Sequence, residues 1–195
     1  MTEFENHSQP PAETAQTVFV GDEKFKLTLP HARIQERIKE IAHEIEKDYI
    51  NRQPVFIGVL NGSFIFLADL VRQIQNIDLE VDFFKVSSYA GSKSSSGQVQ
   101  LRKAVDATLK DRDVIIVEDI VDTGLSLTYI RSAILELAPR SLRICTLLYK
   151  EEVARIDFTL DYVGFRIPKQ FVIGYGLDYR QIKRNLNGIY SLAEE

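Results

Sequence analysis

The stretch Val114-Ile115-Ile116-Val117-Glu118-Asp119-Ile120-Val121-Asp122-Thr123-Gly124-Leu125-Ser126 restricts what this chain can become more than any other. Four apolar residues run straight into two adjacent carboxylates. A third carboxylate follows three residues on, then small and polar residues, then a helical pattern. This reads as a buried strand that ends at a polar site, with a small-residue loop opening a helix. Adjacent carboxylates at a strand end are costly unless ligands, cations or donors meet them. The plainer alternative is a solvated acidic turn. A sugar phosphate suits the arrangement: carboxylates hold vicinal hydroxyls or their metal, and backbone N–H groups at a helix start hold a phosphate.

The flanking sequence supplies the scaffold. Thr17 to Val20 is a short strand, Gly21-Asp22 a turn, and Thr28-Leu29-Pro30 introduces a long helix with Ile34, Ile38, Ile41 and Ile45 on one face. Pro54 to Leu60 is a near-continuous apolar strand of the parallel-sheet type. Asn61-Gly62-Ser63 follows, either a ligand contact or a plain turn, and then a helix with Phe64, Leu67, Leu70, Val71 and Ile74 inward. Leu79 to Val86 is a strand, and the Ser- and Gly-rich segment from Ser87 to Gly97 is a lid or a surface connector. Gln98 to Val105 returns as a strand.

After the central strand, Leu127, Ile130, Ile134 and Leu137 mark a helix stopped by Pro139. Leu142 to Tyr149, Asp161 to Phe165 and Phe171 to Gly174 are further strands, Tyr175 to Tyr179 a loop, and Ile182 to Leu186 a terminal helical turn. Strands alternating with helices define an α/β class with a mostly parallel, twisted sheet flanked by helices. Residues 1–16 read as a flexible leader and 17–195 as one domain.

Composition removes several functional classes. With 24 Lys and Arg against 28 Asp and Glu, the chain has a net charge of −4 and lacks a basic stripe, which disfavours a nucleic-acid binder. No apolar run approaches a membrane span. The N-terminus shows no secretory signal, so a cytoplasmic location is the expectation. The one cysteine, Cys145, sits in an apolar run and reads as structural. Neither a G-x-x-x-x-G-K-[ST] loop, a G-x-G-x-x-G fingerprint, a zinc-type Cys/His set nor a G-x-S-x-G elbow is present.

The run Val114 to Ser126 resembles the phosphoribosyl-diphosphate motif of the type I phosphoribosyltransferases: apolar strand, two acidic residues, two apolar residues, Asp-Thr-Gly, a variable residue and Thr or Ser. Val59 to Phe64, Ser88-Tyr89, Leu147 to Lys150, and Phe171 to Tyr179 followed by Arg184 resemble in order the segments of the hypoxanthine (hypoxanthine-guanine) branch, over about residues 30 to 190.

The resemblance implies a small hood made from the N- and C-terminal segments, and a purine-salvage transfer from 5-phosphoribosyl 1-diphosphate to hypoxanthine, and to guanine. Glu118 and Asp119 would hold the ribose hydroxyls directly or through Mg²⁺. Asp122 would be the general acid/base near N7, and Thr123, Gly124, Leu125 and Ser126 would bind the 5-phosphate. Leu60, Asn61 and Gly62 would meet the diphosphate, in a loop that in this family can hold a non-proline cis peptide. Ser88 and Tyr89 would head a lid. Lys150 would donate to the exocyclic O6, Phe171 would stack on the purine, and the Val172 backbone would read its edge. Asp178 would help bind a second Mg²⁺ beside the base, and Arg184 would contact diphosphate. Asn61 and Leu125 stand where many relatives carry Lys, which leaves those contacts to backbone, hydroxyls and metal. Gln170 stands where some relatives carry a second Lys. A homodimer or homotetramer is the family expectation. The alternatives are an enzyme for xanthine or another base, and a nucleic-acid-binding regulator on the same fold.

Overall fold

The structure is a computed structural model that describes residues 16–88 and 99–193. Its architecture follows from how the apolar runs divide their side chains. In β3 (Val55–Leu60), Val55, Ile57 and Val59 face one way and Phe56 the other. In β6 (Asp113–Val121), Val114 and Ile116 oppose Ile115 and Val117. Both strands are therefore apolar on both faces, as buried parallel strands must be. Helices α1 (His31–Asp48) and α2 (Phe64–Gln73) cover the face of Phe56, Ile115 and Val117. Helix α3 (Leu125–Leu135) covers the face of Val55, Val114 and Ile116. Ile34, Ile38, Ile41 and Ile45 of α1 are fully buried, as their spacing requires.

Among the described residues the main sheet has six strands in the order β5-β4-β3-β6-β7-β8. It adds β4 (Glu80–Ser88), β5 (Val99–Lys103), β7 (Ser141–Tyr149) and β8 (Tyr162–Arg166) to the two central strands. Every pairing is parallel except β4 with β5. Chain order reverses across β3 and β6, the position where open α/β sheets form a crevice at their carboxyl ends. The register sets the crevice. β3 pairs with β6 only as far as Gly58 with Val117, whereas β7 stays paired as far as Val121 with Tyr149. The Glu118–Val121 segment of β6 is thus bonded on one edge and open on the other.

This corrects the expected strand boundary. The two carboxylates lie inside β6 rather than beyond it, because β7 prolongs the strand past the point where β3 leaves. A second, four-stranded antiparallel sheet, β1-β2-β10-β9, joins the chain ends and forms the expected hood. It contains β1 (Thr17–Val20) and β9 (Val172–Ile173). It also contains two strands the sequence reading lacked, β2 (Glu23–Leu29) and β10 (Ile189–Leu192).

Other expectations fail locally. Ile182–Leu186 forms no helical turn; Arg180, Gln181 and Lys183 adopt positive φ, and Ile182 is exposed. Phe64 is exposed, and Phe66 takes the inward place beside Leu67 and Leu70. Leu137 is exposed because α3 ends at Leu135. Ser88 closes β4, while Tyr89 and the rest of the expected lid lie outside the described residues. No helix among the described residues is long and apolar enough to cross a membrane.

Candidate active site

Two cavities open at the carboxyl end of the main sheet. One, of about 270 Å³, is lined by Leu60, Gly62, Glu118, Asp119 and the whole of Asp122–Ser126. The other, of about 220 Å³, is lined by Lys150, Phe171, Val172, Leu177 and Asp178. They share Asp119, Ile120 and Asp122 as a common wall. Most residues singled out from the sequence therefore converge on one crevice, in two groups that meet at the open edge of β6.

The first cavity combines a carboxylate floor with a helix start. Glu118 is buried, and desolvation together with the Asp119 charge pushes its carboxyl well above the usual carboxylate range. Burial raises Asp119 as well, opposed by hydrogen bonds from Glu118 and from the Ile120 amide at 2.9 Å, and by Arg184. Gly62 lies so close that a Cβ built there would stand 1.6 Å from Asp119 Oδ2. The Leu60–Asn61 peptide is cis. At the other end Gly124 precedes α3 with φ +86°, and no side chain caps the helix. Thr123 Oγ1 reaches the Leu125 amide only at 3.5 Å. The first-turn N–H groups, the exposed Ser126 and the positive end of the helix dipole are left facing the cavity, a ready anion site.

The second cavity combines an aromatic face with one buried cation. The Lys150 side chain is 9 % exposed, and its Nζ donates to Asp122 Oδ2 at 2.8 Å. The lysine is placed by its own amide, which donates to Val121 O at 3.0 Å and continues the β6–β7 ladder. Phe171 is half exposed on the cavity side and braced behind by Tyr179, edge-on at 5.8 Å between centroids, and by Phe25 of the hood at 6.1 Å. The apolar walls Ile120 and Leu177 escaped the sequence reading. The alternation of β6 gave the only available signal for Ile120, and Leu177 offered none.

Asp178 and Arg184 engage each other. Arg184 Nη2 lies 2.7 Å from Asp178 Oδ1, and the Gln181 amide donates to Asp178 Oδ2 at 2.7 Å. Arg184 Nη1 also donates to Gly176 O at 2.8 Å. Asp178 does not join Glu118 and Asp119: among the described residues no three His, Cys, Asp or Glu side chains converge as a metal cage.

The sheet switch point thus brings together a carboxylate pair, an open helix start and a slot with an aromatic face and a buried lysine. The phosphoribosyl transferase domain model matches residues 29–180. A hypoxanthine-guanine phosphoribosyltransferase of Aquifex aeolicus is 41% identical over 90% of this chain and 98% of its own length. Among solved structures, a hypoxanthine-guanine phosphoribosyltransferase of Bacillus anthracis with HEPES in its active site superposes with a TM-score of 0.81 at 41% identity, covering 86% of this chain and 98% of that one. A hypoxanthine phosphoribosyltransferase of Staphylococcus aureus gives a TM-score of 0.81 at 40% identity, covering 86% and 91%. The chain belongs to the phosphoribosyltransferase family, in its hypoxanthine-guanine branch.

Proposed function

We propose that the chain transfers the 5-phosphoribosyl group of 5-phosphoribosyl 1-diphosphate to hypoxanthine and guanine, releasing diphosphate, in purine salvage. The observation that carries this is the shared wall: Asp119, Ile120 and Asp122 border both cavities, so a sugar in one and a base in the other meet where a C1–N9 bond would form.

The 5-phosphate occupies the Thr123–Ser126 turn on the α3 amides. Glu118 and Asp119 face the ribose hydroxyls. Leu60, Asn61 and Gly62 border the diphosphate end, with Arg184 bonded to Gly176 beside them. Phe171 stacks on the purine. The Val172 backbone reads the base edge, and Lys150 donates to O6, a contact adenine cannot accept because it presents an amino donor there. Losing diphosphate from C1 builds positive charge on the sugar, which the Asp119 and Asp122 carboxylates stabilise across the shared wall. Asp122 handles the proton at N7. Ser88 and Tyr89 belong to the proposed lid.

The residues fit Mg²⁺. Glu118, buried, and Asp119, half-buried, are hard oxygen donors, and an adjacent carboxylate pair held above its usual range is the kind of group a divalent cation relieves. With no third His, Cys, Asp or Glu grouped with them among the described residues, the ion would take its remaining ligands from hydroxyls and phosphate oxygens, as Mg²⁺ does. A second ion at Asp178 would have to displace Arg184. When bound, the metal neutralises charge on the leaving diphosphate.

Residues 17–195 acting as one domain behind a 1–16 leader, a homodimeric or homotetrameric assembly and a cytoplasmic location belong to the same proposal. Incubating the protein with labelled hypoxanthine, 5-phosphoribosyl 1-diphosphate and Mg²⁺ tests it. Labelled nucleotide is expected, and its absence with every 6-oxopurine overturns the reading.

A further inference from the structure

Behind the loop assigned to diphosphate lies a buried polar cluster that none of these roles uses. Asp69 of α2 is 8 % exposed. Its Oδ2 accepts from the Tyr175 hydroxyl and, at 2.7 Å, from Gln35 Nε2 of α1, and the same nitrogen reaches the Tyr175 hydroxyl at 3.0 Å. Arg72 pairs with the other oxygen. A carboxylate is kept this far from water only where donors converge on it, and here they come from α1, α2 and the 174–178 loop. Tyr175 has φ +52°, between Gly174 at +93° and Gly176 at +100°. A residue with a β-carbon holds that left-handed conformation only where its surroundings over-determine it. Burial of the ring and the tethered hydroxyl do so. Burial and the Asp69 carboxylate also push the Tyr175 pKa up, so the hydroxyl stays a donor.

What the tether holds is the next residue. A Cβ at Gly176 would lie 2.0 Å from Gly62 O, so these backbones are in direct contact, and Gly62 in turn abuts Asp119. The Gly176 amide donates to Arg184 O at 2.9 Å, and its carbonyl accepts from Arg184 Nη1 at 2.8 Å. Any displacement of residue 176 reaches both the Leu60–Gly62 loop and Arg184.

We propose that Asp69, Gln35 and Tyr175 are positioning residues: a tether from α1 and α2 that fixes Gly176 and thereby sets the Leu60–Gly62 loop and Arg184 for the diphosphate end of the substrate. This rests on the phosphoribosyltransferase reading. Of the purine contacts, Lys150, Phe171 and Ile120 stand outside the tether and Leu177 directly follows Gly176, so loss of the tether weighs far more on the diphosphate end than on the base.

The test compares Tyr175→Phe, Asp69→Asn and Asp69→Ala. In Tyr175→Phe, the KM for 5-phosphoribosyl 1-diphosphate and the calorimetric Kd for inorganic diphosphate with Mg²⁺ should rise roughly tenfold, the effect of losing one hydrogen bond to a charged group. The hypoxanthine KM should stay within about twofold. Asp69→Ala should reproduce this, and Asp69→Asn, which keeps an acceptor for the hydroxyl, should restore most of it. If these buried variants do not fold, Gln35→Leu carries the test, with a smaller shift in the same direction. Both KM values rising together, or a lower Tm with both unchanged, overturns the tether. A wild-type protein that makes no nucleotide overturns the functional reading and the tether with it, whereas active wild type with undivided variants removes the tether alone.

Discussion

The Lys150 ammonium donates to Asp122 Oδ2 at 2.8 Å, tying the end of β7 to the turn after β6 inside the purine cavity. The lysine is almost wholly buried and the aspartate half exposed, so the pair holds a cation in the slot until a base arrives. In the proposed reaction a 6-oxopurine would offer Lys150 a new acceptor and free Asp122 toward the ring nitrogen. Replacing Lys150 by Met should raise the hypoxanthine KM roughly 10- to 100-fold, the loss of one charge-assisted buried hydrogen bond. The KM for the sugar diphosphate should barely change. Steady-state kinetics with each substrate varied in turn checks this.

Asp122→Asn removes the proposed proton-handling group while keeping its shape. Turnover should fall by about 10²- to 10⁴-fold, the usual size of a general acid/base contribution, with binding of both substrates nearly intact. Single-turnover rates compared with calorimetric Kd values separate the two, and equal losses in both would count against the acid/base role.

The Glu118 carboxyl is held above its ordinary range by burial and by Asp119. A carboxyl raised in the folded state binds more protons folded than unfolded. It therefore lowers stability progressively as pH climbs from its ordinary value through its folded one. Glu118→Gln should raise the Tm at pH 7 to 8, by about 2–4 °C for each kcal/mol relieved, and the gain should vanish as pH falls below the ordinary glutamate value. Added Mg²⁺ should raise the Tm of wild type more than that of the variant. Thermal melts across pH, with and without metal, read both effects.

Phe171 and Phe25 touch each other yet do different work. Phe25 is fully buried in the hood, and Phe25→Ala should cost about 3–5 kcal/mol of stability. Phe171 is half exposed over the cavity. Its replacement by Ala should cost little stability but raise the purine KM by the roughly 1–3 kcal/mol of a base–aromatic stack. Denaturant melts and base-dependent kinetics on the two variants distinguish these outcomes.

Gly62→Ala should fold and yet be inactive, because the added methyl would occupy the place of the Asp119 carboxylate, 1.6 Å away. A normal melt with turnover reduced at least a hundredfold is expected, and full activity would show that the Leu60–Gly62 loop parts freely from β6.

The α/β class and the place of the candidate site were legible because their signals are local. Apolar runs two-sided enough for a parallel sheet, the Ile34–Ile45 period and the Glu118–Ser126 sequence all stand within short windows. What escaped depends on distant pairing. β2 carries Phe25, Leu27 and Leu29 at strand spacing, but it becomes a strand through β1 on one edge and β10 on the other, more than 150 residues along the chain. The apparent helix at Ile182–Leu186 gave way to a loop because Tyr175 and Gly176 bond to the backbone of Leu186 and Arg184. The sequence reading gave Asp178 to metal and Arg184 to diphosphate, and their pairing with each other emerges only from the fold of the 178–184 loop, just as the Lys150–Asp122 pair needed β6 and β7 side by side. Neither Gly62 nor Gly176 announced its contact, since close backbone approach leaves no pattern in a single sequence.

The central claim is selective phosphoribosyl transfer to 6-oxopurines. The most direct measurement is kcat/KM for hypoxanthine, guanine, xanthine, adenine and orotate with saturating 5-phosphoribosyl 1-diphosphate and Mg²⁺, diphosphate release being followed alongside nucleotide. The account expects hypoxanthine and guanine to lead, each nucleotide matched by one diphosphate, with adenine and orotate at least a thousandfold poorer. Turnover of adenine or orotate equal to that of hypoxanthine, or no nucleotide from either 6-oxopurine, would contradict it.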